Sequence, residues 1–190
     1  MYELFSMQIR LTQSTDDLIG IKSLQSQNLK VNLSEAEKIS EGFVTASYTM
    51  EALDQMHHLL PSVIAVDHDK IVGYALVLDK RFKGTHQLID DLIENIDCHS
   101  FQNQNLANIN YAVVGQLCVD KQYRGQGLAS KLYQSFRDHY SKLFPYCITD
   151  VDRSNIRSLQ AHYKTGFQTL GQLQFENADF EIVLWDWNKH

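Results

Sequence analysis

Apolar and polar residues alternate over positions 7–12 (MQIRLT), the period of a strand with one covered face. Ser14 or Thr15 followed by Asp16 and Asp17 has the form of a helix start, and Leu18, Ile21, Leu24 and Leu29 then supply a helical stripe. Ser34 with Glu37 matches a capping box and predicts a second short helix within residues 32–48. A further helix is expected over Met50–Leu60, stopped by Pro61. SVIAVD (62–67) and KIVGYALVL (70–78) are β-branched runs separated by His68 and Asp69, a hairpin signal. Leu88, Leu92, Ile93 and Ile96 predict an amphipathic helix over 84–97, and the amide-rich stretch up to Asn110 is expected to be an exposed loop.

The run YAVVGQLCV (111–119) is nearly continuous in apolar character, as in a central strand buried on both faces. Leu128, Leu132, Phe136 and Tyr140 at four-residue spacing predict a helix over 127–142 with one buried stripe. A strand (146–151), a short helix (155–164), a Gly166-Phe167 stop and two strands (167–175 and 179–187) complete the chain. The order β-α-α-β-β-α-β-α-β-α-β-β implies an α/β fold, a mixed, mostly antiparallel central sheet flanked by helices. No repeat or Ser/Gly/Pro-rich linker divides it, so residues 1–190 are expected to form a single domain.

Composition narrows the function classes. With 44% apolar and 21% charged residues the chain is globular rather than disordered. The longest stretch without Asp, Glu, Lys or Arg, Cys98–Val119, is rich in Asn and Gln, so no membrane span is expected. Met-Tyr-Glu at the amino end precedes no basic and apolar run, and the cytoplasm is the expected compartment. Cys98, Cys118 and Cys147 have no zinc-like or disulfide-framework spacing, and no metal is expected. A net charge of -6, spread along the chain, argues against nucleic acid and is electrostatically compatible with a cationic acceptor. Phe180, Trp185 and Trp187 serve either the core or a homodimer contact.

Residues 119–132 (VDKQYRGQGLASKL) carry the chemistry: a buried strand passes through a Gly-rich turn directly into a helix. Such a junction leaves backbone N–H groups unpaired at the positive end of the helix dipole, where a phosphate can be held. Gly125 and Gly127 allow positive φ and close approach of the ligand, and Arg124 and Lys131 can add charge. Two glycines spaced by one residue also occur in plain loops. A dinucleotide fingerprint fails because position 130 is Ser, and no Walker loop occurs.

The turn does match Q/R-x-x-G-x-G/A through Gln122, Gly125 and Gly127. The chain thereby resembles the GNAT superfamily of acetyl-CoA-dependent N-acetyltransferases. Residues 155–167 (NIRSLQAHYKTGF) are similar to that family's second motif. The resemblance implies that Gln122, Tyr123, Arg124, Gly125, Gln126 and Gly127, with Leu128, Ala129 and Ser130 of the following helix, hold the pyrophosphate of acetyl-CoA as co-substrate. Leu117, Cys118 and Val119 would splay from the neighbouring strand to pair with pantetheine. Asn155 and Ser158 would contact the cofactor, and Tyr163 would lie near its sulfur. Asn155 could equally cap its own helix, and Tyr163 could simply pack beside Ile156 and Leu159.

The implied reaction moves acetyl to a primary amine of a small molecule or peptide by direct attack. A backbone N–H at Cys118 or Val119 would polarise the carbonyl, and Tyr163 would return a proton to the thiolate. Many members place a base on the fourth strand, but here that strand carries Gln116 and Cys118 and no carboxylate before Asp120. Deprotonating a lysine-like amine at pH 7 costs about 4.6 kcal/mol, an α-amine about 1, so the missing base favours a weakly basic acceptor. Water relayed to His86, His99, Asp120 or Glu176 is one remedy. Covalent catalysis by Cys118 is disfavoured because a buried strand cysteine is ordinarily a small apolar residue. The other reading is a non-catalytic acyl-CoA-binding module of the same fold.

Overall fold

A computed structural model describes residues 7–40 and 42–189. Its strands are β1 (Gln8–Leu11), β2 (Val63–Asp67), β3 (Lys70–Leu78), β4 (Ala112–Val119), β5 (Tyr146–Asp152), β6 (Gln168–Phe175) and β7 (Ala178–Asp186). Its helices are α1 (Thr15–Asn28), α2 (Glu35–Ser40), α3 (Met50–Leu59), α4 (Gln87–Asp97), α5 (Leu128–Tyr140) and α6 (Ile156–Thr165). The seven strands form one mixed sheet in the order β1-β2-β3-β4-β5-β7-β6. Only β4 and β5 run parallel; every other neighbouring pair in this sheet is antiparallel.

The apolar stripes dock on opposite faces. Leu18, Ile21 and Leu24 of α1, Leu53 and Met56 of α3, and Leu92, Ile93 and Ile96 of α4 cover one face. Leu132, Tyr133, Phe136 and Tyr140 of α5 cover the other, with Phe167, Trp185 and Trp187. Full burial of one such Leu or Phe side chain stabilises the fold by about 1.5–3 kcal/mol. The aromatic carboxyl end is thus core: Phe180, Trp185 and Trp187 are all buried.

Local chemistry sets the boundaries. The Ser14 hydroxyl accepts from the Asp17 amide to start α1, and Arg10 of β1 grips the Asp17 carboxylate through two hydrogen bonds of 2.7 and 2.8 Å. Thr49 caps α3. His68 and Asp69 both take positive φ, the two-residue turn that matches strand twist in the β2–β3 hairpin.

Two expectations need correction. The stretch 98–110 is not a plain exposed loop: Ser100–Phe101 pairs with Gln104–Asn105, and Leu106 beyond them is fully buried. Gln102 and Asn103 make its tight turn at positive φ, so amides read as solvated loop are turn formers. In β4, burial on both faces ends midway, and Leu117 and Val119 are only half-buried because one side of the strand opens. No helix among the described residues is long and apolar enough to cross a membrane.

Candidate functional site

Strands β4 and β5 pair over only two positions, Ala112 with Cys147 and Val113 with Ile148, and then part. Three side chains occupy carbonyls that the ladder abandons. The Thr149 hydroxyl donates to Val114 O at 2.7 Å, the Tyr48 hydroxyl to Gly115 O at 3.0 Å, and Arg124 Nε to Val119 O at 3.0 Å. Gly115 sits in a bulge, since the β3 register skips from Gln116 to Val114. A side chain there would press on Leu78, whose Cδ2 would lie 2.6 Å from an added Cβ.

Past the bulge the backbone facing the gap can be assigned. Asp120 N–H donates to Val72 O, and hydrogen-bonded pairs alternate along an antiparallel ladder, so Cys118 faces β3 while Leu117 and Val119 turn their N–H groups to the open side. Of the two amides expected to polarise a carbonyl, Val119 has the right direction and Cys118 does not.

β4 then runs through a short turn into α5. Gly125 (φ 78°) and Gly127 (φ 75°) are both left-handed, and an added Cβ at either would meet nothing within 4 Å, leaving the backbone open to a ligand. Gly127 caps α5 without a side-chain bond, and the first turn carries no acidic residue. The first helical bond closes from Lys131 N to Gly127 O, so the amides of Leu128, Ala129 and Ser130 have no partner within the helix. This is the arrangement that takes a phosphate.

Splay and turn form one groove of about 390 Å³. Leu117, Cys118, Val119, Tyr123, Arg124, Gly125, Gly127, Leu128, Ala129, Ser130, Asn155 and Ser158 line it, whereas Gln122 and Gln126 do not. Gln126 instead donates to the Gln122 carbonyl and braces the turn. Arg124 is committed to structure: besides Val119 O it donates to Asn28 Oδ1 at 2.6 Å, tying α1 to the turn. The groove's cations include Arg157 and Lys164 of α6 rather than the expected Lys131. Asn155 both lines the groove and caps α6, accepting from Ser158 N at 3.2 Å and donating to Phe43 O at 3.0 Å. Burial pushes the Cys118 thiol up to about 12, so it is inert near neutrality.

A narrower cavity of about 70 Å³ continues from the groove between the parted strands. His162, not Tyr163, faces it. The His162 ring lies between the Tyr133 hydroxyl (2.6 Å) and Ser158 O (2.7 Å), and burial pushes it down to about 4, leaving it neutral. Tyr163 is exposed and lines neither space; its hydroxyl engages Glu181 and Thr169 on β7 and β6. The proton-donor role expected of Tyr163 lacks the placement it needs. Nor do the four relay candidates line either space. Asp120 binds Lys70, His99 donates from Nδ1 to Asn95 O and packs over Gly171, His86 packs at a tilt against Tyr48, and Glu176 occupies the β6–β7 turn.

Strand β5 brings two carboxylates to the gap: Asp152, which is ion-paired to Lys30, and Asp150. No spacing in the sequence marked Asp150, because it comes from the strand beside β4. Its Oδ2 is buried without a hydrogen-bond partner, and burial pushes its pKa up to about 7.

Residues 31–167 match the family model described as acetyltransferase (GNAT) family. The chain belongs to this family. Solved structures agree on the fold. A GNAT-family acetyltransferase from Streptococcus agalactiae superposes with a TM-score of 0.65 at 16% identity, covering 95% of each chain. The NatC complex bound to Gag peptide and CoA gives 0.64 at 15% identity, over 95% of this chain and 98% of that one. The yncA structure from Salmonella typhimurium, with acetyl-CoA, gives 0.61 at 16% identity over 97% and 96%. No curated protein sequence matches the chain. As a GNAT acetyltransferase the chain is an acyltransfer enzyme, and among its described residues no cluster of His, Cys, Asp or Glu could hold a metal ion.

Proposed function

We propose that this enzyme moves acetyl from acetyl-CoA to a weakly basic primary amine, of a peptide amino terminus or a small molecule, by direct attack and without an acyl-enzyme. The single observation that carries the reading is the continuity of one groove from the opening between β4 and β5 to the uncapped start of α5. The amides of Leu128, Ala129 and Ser130, with the turn at Gly125 and Gly127, would hold the diphosphate. Leu117 and Val119 would bond the pantetheine arm, and the Val119 N–H would polarise the thioester carbonyl as oxyanion charge develops.

Cys118 contributes no covalent step, since its thiol is buried and its own N–H faces β3. The peptide and CoA held together in the NatC structure support a peptide acceptor. Small-molecule amines share the same nucleophile and fit the same direct attack. The test is release of CoA thiol from acetyl-CoA in the presence of two pools, tetrapeptides with free amino termini and small primary amines. Thiol release and acetylated product by mass shift are expected. Binding of acetyl-CoA with no acetylated product from either pool would contradict the reading.

A further inference from the structure

We propose that the Asp150 carboxylate is the base that takes the proton from the acceptor's ammonium group, supplied by β5 in place of a carboxylate on β4. This rests on the acetyl-transfer reading above. The placement follows from strand alternation: Ile148 and Asp152 share the face of β5 that Asp150 occupies, and its partner across the ladder is the apolar Ile182 of β7. That face is the one packed by α1, α3 and α4, opposite the α5 face from which the turn at Gly125–Gly127 departs. An amine arriving at Asp150 therefore meets the thioester through the gap between β4 and β5.

The cavity there has room for about two water-sized groups, enough for an amine nitrogen and little else. Ala46, Leu88 and Phe180 give it apolar walls. Within it Asp150 Oδ2 is buried and accepts no hydrogen bond, an arrangement that costs free energy unless a donor arrives. The titratable and charged groups on the same side are Tyr48, whose hydroxyl is committed to Gly115 O, and Asp152, which is ion-paired to Lys30 at 2.6 Å. His162 enters the same cavity from α6 as a neutral ring. No cation among these neutralises Asp150. Burial holds it half-protonated near neutral pH, close to the roughly 7.8 of an α-amine, so that proton transfer between them is nearly balanced.

The step balances as follows. One ammonium proton passes to Asp150 and later to solvent. The freed nitrogen lone pair forms the C–N bond as the carbonyl takes up negative charge. Collapse breaks the C–S bond, and the second nitrogen proton goes to the leaving thiolate, giving the amide, CoA thiol and one released proton.

The experiment compares wild type with Asp150→Asn and Asp150→Glu, using acetyl-CoA and the tetrapeptide pool. Asp150→Asn is expected to lose about 100-fold or more in kcat/KM and to lose the rise in rate near pH 7, with acetyl-CoA affinity unchanged and the fold no less stable than wild type at pH 7. Asp150→Glu is expected to restore part of the rate. Independently of turnover, the Asp150 carboxyl carbon followed by NMR, assigned by its absence in Asp150→Asn, is expected to titrate near pH 7. Wild-type rate and pH profile in Asp150→Asn, or a carboxyl titrating in the ordinary range near 4, would overturn the proposal. Absence of acetyl-CoA binding by wild type would instead overturn the acetyl-transfer reading and the base with it.

Discussion

The Thr149 hydroxyl donates to the Val114 carbonyl at 2.7 Å, at the point where β4 and β5 stop pairing. A side chain thus takes over a backbone acceptor that the ladder can no longer serve, and the gap opens without an orphaned buried carbonyl. Replacing Thr149 with Val keeps the shape and removes the donor. Thr149→Val is expected to lower stability by about 1–3 kcal/mol and the melting temperature by several degrees in a thermal scan. An unchanged melting temperature would show that Val114 has another partner.

The turn at Gly127 separates strain from function. Gly127→Ala places a β-carbon on a left-handed residue, costing about 1–2 kcal/mol, although space for that carbon is free. Its methyl would stand where the ligand approaches the backbone. Calorimetry should show acetyl-CoA binding weakened more than the melting temperature suggests.

Much of this was legible along the chain, because the decisive features are local. Gly125 and Gly127 between a buried strand and a striped helix identify the anion turn without tertiary information. Two features were not legible, for different reasons. Choosing Tyr163 over His162 on α6 turns the side chain by about 100° around the helix, from the cavity to the outer edge at Glu181, and both fit a stripe with Leu159. Asp150 escaped because it lies some thirty residues along the chain from β4; only the parting of two strands brings a carboxylate from β5 into the gap. The buried Leu106 hides for a different reason, since Gln102, Asn103, Gln104, Asn105 and Asn108 surround it with amides in sequence.

Thiol reactivity should be strongly unequal. Cys118 is buried with its thiol pushed up to about 12, Cys147 is buried as well, and Cys98 is exposed. Iodoacetamide at pH 8 followed by peptide mass spectrometry should label Cys98 and spare the other two. Rapid labelling of Cys118 would reopen it as a nucleophile.

Acid stability depends on His162. Its folded pKa is lowered to about 4 by burial, below the unfolded value of about 6.5, so the unfolded chain binds more protons in that window. The resulting stability is present above pH 6.5 and is lost as pH falls toward 4. Asp150 acts in the opposite sense: its raised folded pKa favours the protonated fold, and that contribution fades as pH rises from about 4 to about 7. Urea melts across this range should show His162→Gln with a shallower acid loss than wild type. Asp150→Asn should show a steeper one.

The most direct measurement is titration of acetyl-CoA, and of acetyl-phosphopantetheine lacking the diphosphate-linked nucleotide, into the folded wild-type protein by calorimetry. One-to-one binding of acetyl-CoA, much weakened for the truncated thioester, is the predicted result, because the amides at the start of α5 would then lose their ligand. No heat with acetyl-CoA, or equal affinity for both, would contradict the assignment of that helix end as the diphosphate site.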